Sequence, residues 1–66
     1  MDKEEIGKRL REKRGAISQA EVAQAIGVTP MAISLYESGE RIPRDEVKIR
    51  LAQYYGCTVD SIFFTS

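Results

Sequence analysis

Helix-stop and helix-start signals recur about every ten residues along this 66-residue chain, and that spacing allows little except a compact stack of short helices. Asp2, with Glu5 three residues later, has capping-box spacing, and Gly15 stops the helix that follows, from about Lys3 to Lys13. Ser18-Gln19-Ala20-Glu21 is a fuller capping box and starts a second helix, which ends at Gly27 in the left-handed position past a helix end. Thr29 caps a third helix. Pro30 takes its first position, where the missing N–H costs nothing, and Gly39 ends it after Glu37 or Ser38. A fourth helix follows Pro43, from about Asp45 to Tyr55, with Asp45 and Glu46 at its positive end and Gly56 as its stop. Thr58 caps a last short helix, Val59 to Phe63 or Phe64.

The apolar residues supply one inward face to each predicted helix. Ile6 and Leu10 lie one turn apart, Val22, Ala23 and Ile26 follow on the second helix, and Val47, Leu51, Ala52 and Tyr55 on the fourth. On the third helix Ile33 and Tyr36 define the core side, and Met31, Leu35 and Ser38 fall on the opposite one at 100° per residue. Ile62 is expected in the core, and of Phe63 and Phe64 at least one faces the surface. A chain of this length buries only about 60% of its unfolded surface, so residues 1–66 form one small all-α domain with a single core.

Several function classes are excluded early. There is one cysteine, Cys57, and no histidine, so neither an intramolecular disulfide nor a zinc site is available. Cys57 reads as a small apolar residue. No Gly-rich phosphate loop and no evident carboxylate pair is present, so no enzyme, cofactor or small-molecule ligand is expected. The charged stretch from Met1 to Arg14 is unlike a signal peptide and no apolar run would span a bilayer, which together predict a cytoplasmic chain without a membrane partner.

Residues 18–39 carry the functional information. A short helix, a glycine turn of Gly27, Val28 and Thr29, and a second short helix describe a helix-turn-helix. Val28 fills the angle between the helices, Ala23 is small where they approach, and Ile33 packs back. The second helix then stands out as a rod able to enter a major groove.

The run Ser18–Ala23, then Gly27-Val28-Thr29, Ile33-Ser34, Tyr36-Glu37-Ser38-Gly39 and Arg41-Ile42-Pro43, resembles the phage repressor/Cro family of regulators, also called the xenobiotic-response-element family. The later stretch Val47 to Phe63, with Ala52, Gly56, Thr58 and Asp60-Ser61-Ile62-Phe63, resembles that family's fourth and fifth helices, so the likeness covers nearly the whole chain. It implies a five-helix, lambda-repressor-like fold and a sequence-specific transcriptional regulator, a repressor binding a palindromic operator in double-stranded DNA as a homodimer. By the same resemblance, Thr29, Pro30, Met31, Ser34 and Leu35 face bases. Gln19, Ser38, Arg41 and Arg44 contact phosphates, and Arg11 pairs with Glu37 to tie the first helix to the third. The dimer forms through the fifth helix, with Phe63 and Phe64 at its interface.

Three features depart from the family pattern. The loop Arg14–Ser18 is one residue longer than usual, with Ile17 still plugging the core. Asp45 and Lys48 replace apolar residues, which predicts a thinner contact between the fourth helix and the rest. The base-facing positions are apolar: Pro30, Met31 and Leu35 cannot form bidentate hydrogen bonds with base edges, although they can touch thymine methyls. Ten basic and ten acidic residues cancel, and the basic charge lies in residues 1–14 and 40–50. The expectation is therefore weak non-specific binding with shallow salt dependence. The alternative is a protein-interaction or antitoxin-like module that presents the apolar third helix to a protein.

Overall fold

The computed structural model describes residues 2–64 and contains five helices: α1 Lys3–Arg14, α2 Gln19–Ile26, α3 Pro30–Ser38, α4 Asp45–Tyr55 and α5 Val59–Phe63. The expected boundaries hold, with α1 one residue longer than predicted. Four of the five starts are capped by the side chain just before the helix. Asp2 accepts from the amides of Glu4 and Glu5, Ser18 from Glu21, Thr29 from Ala32 and Thr58 from Ser61. Only α4 lacks such a cap, although Asp45 and Glu46 place negative charge in its first turn.

α3 is the axle of the fold. α1 and α2 pack against it, α4 packs on α2 and α5, and α5 closes back onto α1. The core is one cluster of Ile6, Leu10, Val22, Ala23, Ile26, Ile33, Tyr36, Val47, Leu51, Ile62 and Phe63. Ile17 packs against it from the lengthened loop, as expected. No helix among the described residues is long and apolar enough to cross a membrane.

Phe63 is only 1% exposed, which corrects its expected place at a dimer interface. α5 turns both Ile62 and Phe63 inward between α1 and α4, and Arg9 Nη1 donates to the Ile62 carbonyl at 3.1 Å. Phe64, at 58% exposure, is the outward aromatic. Lys48 also differs from expectation. It is buried, its ammonium lying 5.6 Å from the Phe63 ring centroid and 5.4 Å from that of Phe64. At this position the long aliphatic stem does the packing that an apolar residue would do, whereas the Asp45 side chain stays in solvent.

Gly7, in the middle of α1, has a role the sequence did not disclose. A Cβ built there would collide with the carbonyl oxygen of Glu37 and stand 2.9 Å from that of Tyr36. The backbones of α1 and the end of α3 touch directly, and only glycine permits it.

Candidate nucleic-acid interface

The helix-turn-helix is built by local chemistry at its corner. Gly27 adopts φ 79°, and its amide and that of Val28 both donate to the Ala23 carbonyl at 2.9 Å. The Thr29 hydroxyl accepts from Ala32 N–H at 3.1 Å, so this residue, expected to face bases, also holds the start of α3. At the other end Gly39 adopts φ 80°, and the amides of Glu40 and Arg41 donate to the Leu35 carbonyl at 3.0 and 3.3 Å. That turn keeps Arg41 beside the last turn of α3.

α3 buries Ile33, Tyr36 and Glu37 and exposes Pro30, Met31, Ser34 and Ser38. Met31 is 72% exposed, whereas Leu35 is half-buried at the border of the two faces. The outward face carries no charged side chain, since Glu37, the helix's one ionisable group besides the tyrosine, points inward at 4% exposure.

The surroundings of Glu37 correct the expected ion pair. Its carboxylate is held by Arg14, not Arg11: Arg14 Nε lies 2.6 Å from Oε2 and Nη2 lies 3.0 Å from Oε1. Gln19 Nε2 donates to Oε1 at 3.1 Å, while Arg11 Nη2 reaches only the backbone carbonyl of Glu37 at 3.3 Å. The reason is geometric. α1 meets α3 backbone to backbone at Gly7, which sets Arg11 over the open carbonyls at the end of α3. Arg14, one turn on, lies over the side chain. Arg14 Nη1 also donates to the Ile17 carbonyl at 2.7 Å, tying the lengthened loop into the same network. The hydrogen bonds to Glu37 raise the Arg14 guanidinium above its ordinary pKa, against the effect of burial. Tyr55 lines the same part of the core. Burial pushes its phenol up to about 12, and the Glu37 carboxylate adds to the shift.

The residues expected at phosphates are not equivalent. Gln19 stands at the start of α2 with one amide hydrogen on Glu37, which leaves its second hydrogen and the first backbone amides of α2 for an anion. The Ser38 hydroxyl lies 3.1 Å from the Leu35 carbonyl and 2.7 Å from the Glu40 carboxylate, so it is already engaged. Arg41 and Arg44 are exposed and line a cleft of about 490 Å³ together with Arg50, Glu46, Gly27, Val28, Tyr36, Ile42 and Val47. Arg50 also donates to the Ile26 carbonyl at the end of α2 at 3.4 Å. Sequence reasoning missed Arg50, whose place in the cleft depends on how α4 crosses α2. It also missed Ile49, 50% exposed on α4.

This architecture matches known proteins over nearly its whole length. The helix-turn-helix family model matches residues 8–62. The chain belongs to the phage-repressor-like helix-turn-helix regulators. A crystal structure of the P22 c2 repressor in complex with a synthetic operator superposes with a TM-score of 0.88 at 30% identity, covering 92% of this chain and 96% of that one. The restriction-modification controller protein C.AhdI from Aeromonas hydrophila superposes with a TM-score of 0.86 at 26% identity, covering 94% and 97% of the two chains. The same fold occurs within hydroxypropylphosphonic acid epoxidase from S. wedmorenis. There the TM-score is 0.82 at 20% identity, and this helix-turn-helix chain covers 34% of the enzyme. That likeness is one of fold alone. Among curated proteins none matches the sequence significantly.

Proposed function

We propose that this regulator is a repressor that binds a palindromic operator as a homodimer, each copy placing α3 in the major groove of a half-site. The observation that carries the reading is the two-sidedness of α3. Its inner face is locked by Ile33, Tyr36 and the Glu37 network, and its outer face is exposed between the start of α2 and the Arg41–Arg44 segment. A helix held this firmly can present side chains to bases while its flanks hold phosphates. The P22 c2 repressor structure in complex with a synthetic operator supports the same use of the fold. Two copies would read half-sites about 34 Å apart, and occupancy of a promoter would block it. Phe64, with Ile49 on the neighbouring helix, supplies exposed apolar surface for the twofold contact.

Selection from random duplex oligonucleotides with the purified chain tests this reading. Enrichment of an inverted repeat, bound by two chains per duplex, is the expected result. Enrichment of no sequence would overturn it. Arg41 and Arg44 from each of two copies give about four phosphate contacts, so log affinity should fall on log salt with a slope of about −4; a slope near −10 would contradict the assignment.

A second reading rests on the 72% exposure of Met31: α3 docks on a protein. Met31→Ala with Leu35→Ala separates the two. Loss of the DNA complex with the chain still folded supports base reading, whereas intact DNA binding with loss of a protein partner supports the alternative.

A further inference from the structure

The outer face of α3 fixes what kind of base edge it can distinguish. Hydrogen-bonded readout of base edges uses Arg or Lys bidentate on guanine, Asn or Gln bidentate on adenine, and Asp or Glu accepting from the cytosine amino group. α3 offers none of these outward, because Glu37 is buried against Arg14 and Gln19. What remains is Pro30, Met31, the half-buried Leu35 and the hydroxyl of Ser34. A hydroxyl both donates and accepts, so Ser34 meets the thymine O4 acceptor and the cytosine N4 donor equally well. The one apolar group on the major-groove edge of any base pair is the C5 methyl of thymine.

Resting on the DNA-binding reading above, we propose that α3 recognises the C5 methyl group of pyrimidines as such. 5-Methylcytosine carries that methyl at the same ring position as thymine, and no outward side chain of α3 opposes its amino group. Methylation of cytosine therefore converts a poor position into a thymine-like one, and the regulator binds more tightly to DNA modified in this way. Met31, the most exposed of the large apolar side chains, makes the contact, and its flexible thioether suits a methyl group better than a flat base.

The test uses the duplex enriched by selection. Each thymine under α3 is replaced in turn by deoxyuridine, and each T·A pair by C·G and by 5-methyl-C·G, and affinity is measured at fixed salt for the intact chain and for Met31→Ala. Removing one methyl should weaken binding roughly fourfold, the value of one buried methyl group, and methylating the cytosine should recover most of the loss from T·A to C·G. Met31→Ala, which should unfold at the same temperature as the parent, should abolish the thymine–deoxyuridine difference at one position or more. Equal affinity for thymine and deoxyuridine at every position overturns the proposal, as does 5-methylcytosine binding no better than cytosine throughout. A methyl effect unchanged at all positions in Met31→Ala overturns the role of Met31, and one unchanged also in Met31→Ala with Leu35→Ala assigns it to duplex stiffness and overturns the role of α3. A chain that enriches no DNA fails earlier, at the DNA-binding reading itself.

Discussion

Glu37 in α3 and Lys48 in α4 are both charged and both buried, at 4% and 8% exposure, and their surroundings differ in kind. Glu37 receives two hydrogen bonds from Arg14 and one from Gln19, within a joint where α1 and α3 touch through backbone at Gly7. Lys48 has an exposed carboxylate, Asp45, at 3.5 Å and two aromatic rings beneath it. The first joint is directional. Its donors fit one relative placement of three helices, so it fixes register. The second is a greasy contact with a charge at its rim, which tolerates sliding and substitution. A domain of this size has roughly 3–10 kcal/mol of stability in total, so the difference between the joints is large on that scale.

The most severe way to break the directional joint is Gly7→Ala. The new methyl would meet the backbone of Tyr36 and Glu37 at the end of α3, so α1 must move away from α3, and the loss should reach about 3 kcal/mol or more, the upper end for over-packing. Denaturant unfolding measures it, and a loss below about 1 kcal/mol would show the joint to be soft. Arg14→Ala leaves the Glu37 carboxylate with Gln19 alone and should cost about 2–3 kcal/mol, against about 1 kcal/mol or less for Arg11→Ala, which removes only a bond to a carbonyl. A lower melting temperature for Arg11→Ala than for Arg14→Ala would return the ion pair to Arg11.

Alkaline titration sharpens the same comparison. The Tyr55 phenol beside Glu37 has its pKa raised from 10.0 to about 12. The neutral form is favoured in the fold, so its contribution is fully present below pH 10 and is lost as pH rises towards 12. Tyr55→Phe should remove that part of the alkaline decline, and parallel stability curves for parent and variant across this range would refute the placement. The smallest effect is expected at the greasy joint. Lys48→Met keeps the stem and drops the charge, and should change stability by less than about 1 kcal/mol in either direction. A larger loss would mean that the ammonium, rather than the stem, holds α5.

These two joints also mark where the sequence is legible. Helix limits were readable because each depends on two or three nearby residues: Ser18 with Glu21, Thr29 with Pro30, a glycine at the stops of α1 to α4. The inward faces followed from period. Gly7 was not readable, since nothing local distinguishes a glycine against a backbone from one in open solvent. Arg11 and Arg14 lie three residues apart on one face, and only the crossing of α1 over α3 decides which meets a side chain and which a carbonyl. Phe63 and Phe64 posed the same problem at α5, where position between α1 and α4 settles which ring turns in. On α3, the outward placement of Met31 and Ser34 was legible from helical period, while Leu35 lies at the border of the two faces. The engagement of Ser38 with Glu40 and the place of Arg50 in the cleft were not legible, because both depend on tertiary geometry.

The separation of the two faces of α3 bears on how such a protein could be re-targeted. Met31 and Ser34 are exposed and belong to neither the core cluster nor the hydrogen bonds of Glu37, so they form a cassette that can be exchanged without renegotiating the fold. Placing glutamine or arginine at these two positions would write a new hydrogen-bonding address onto an unchanged scaffold.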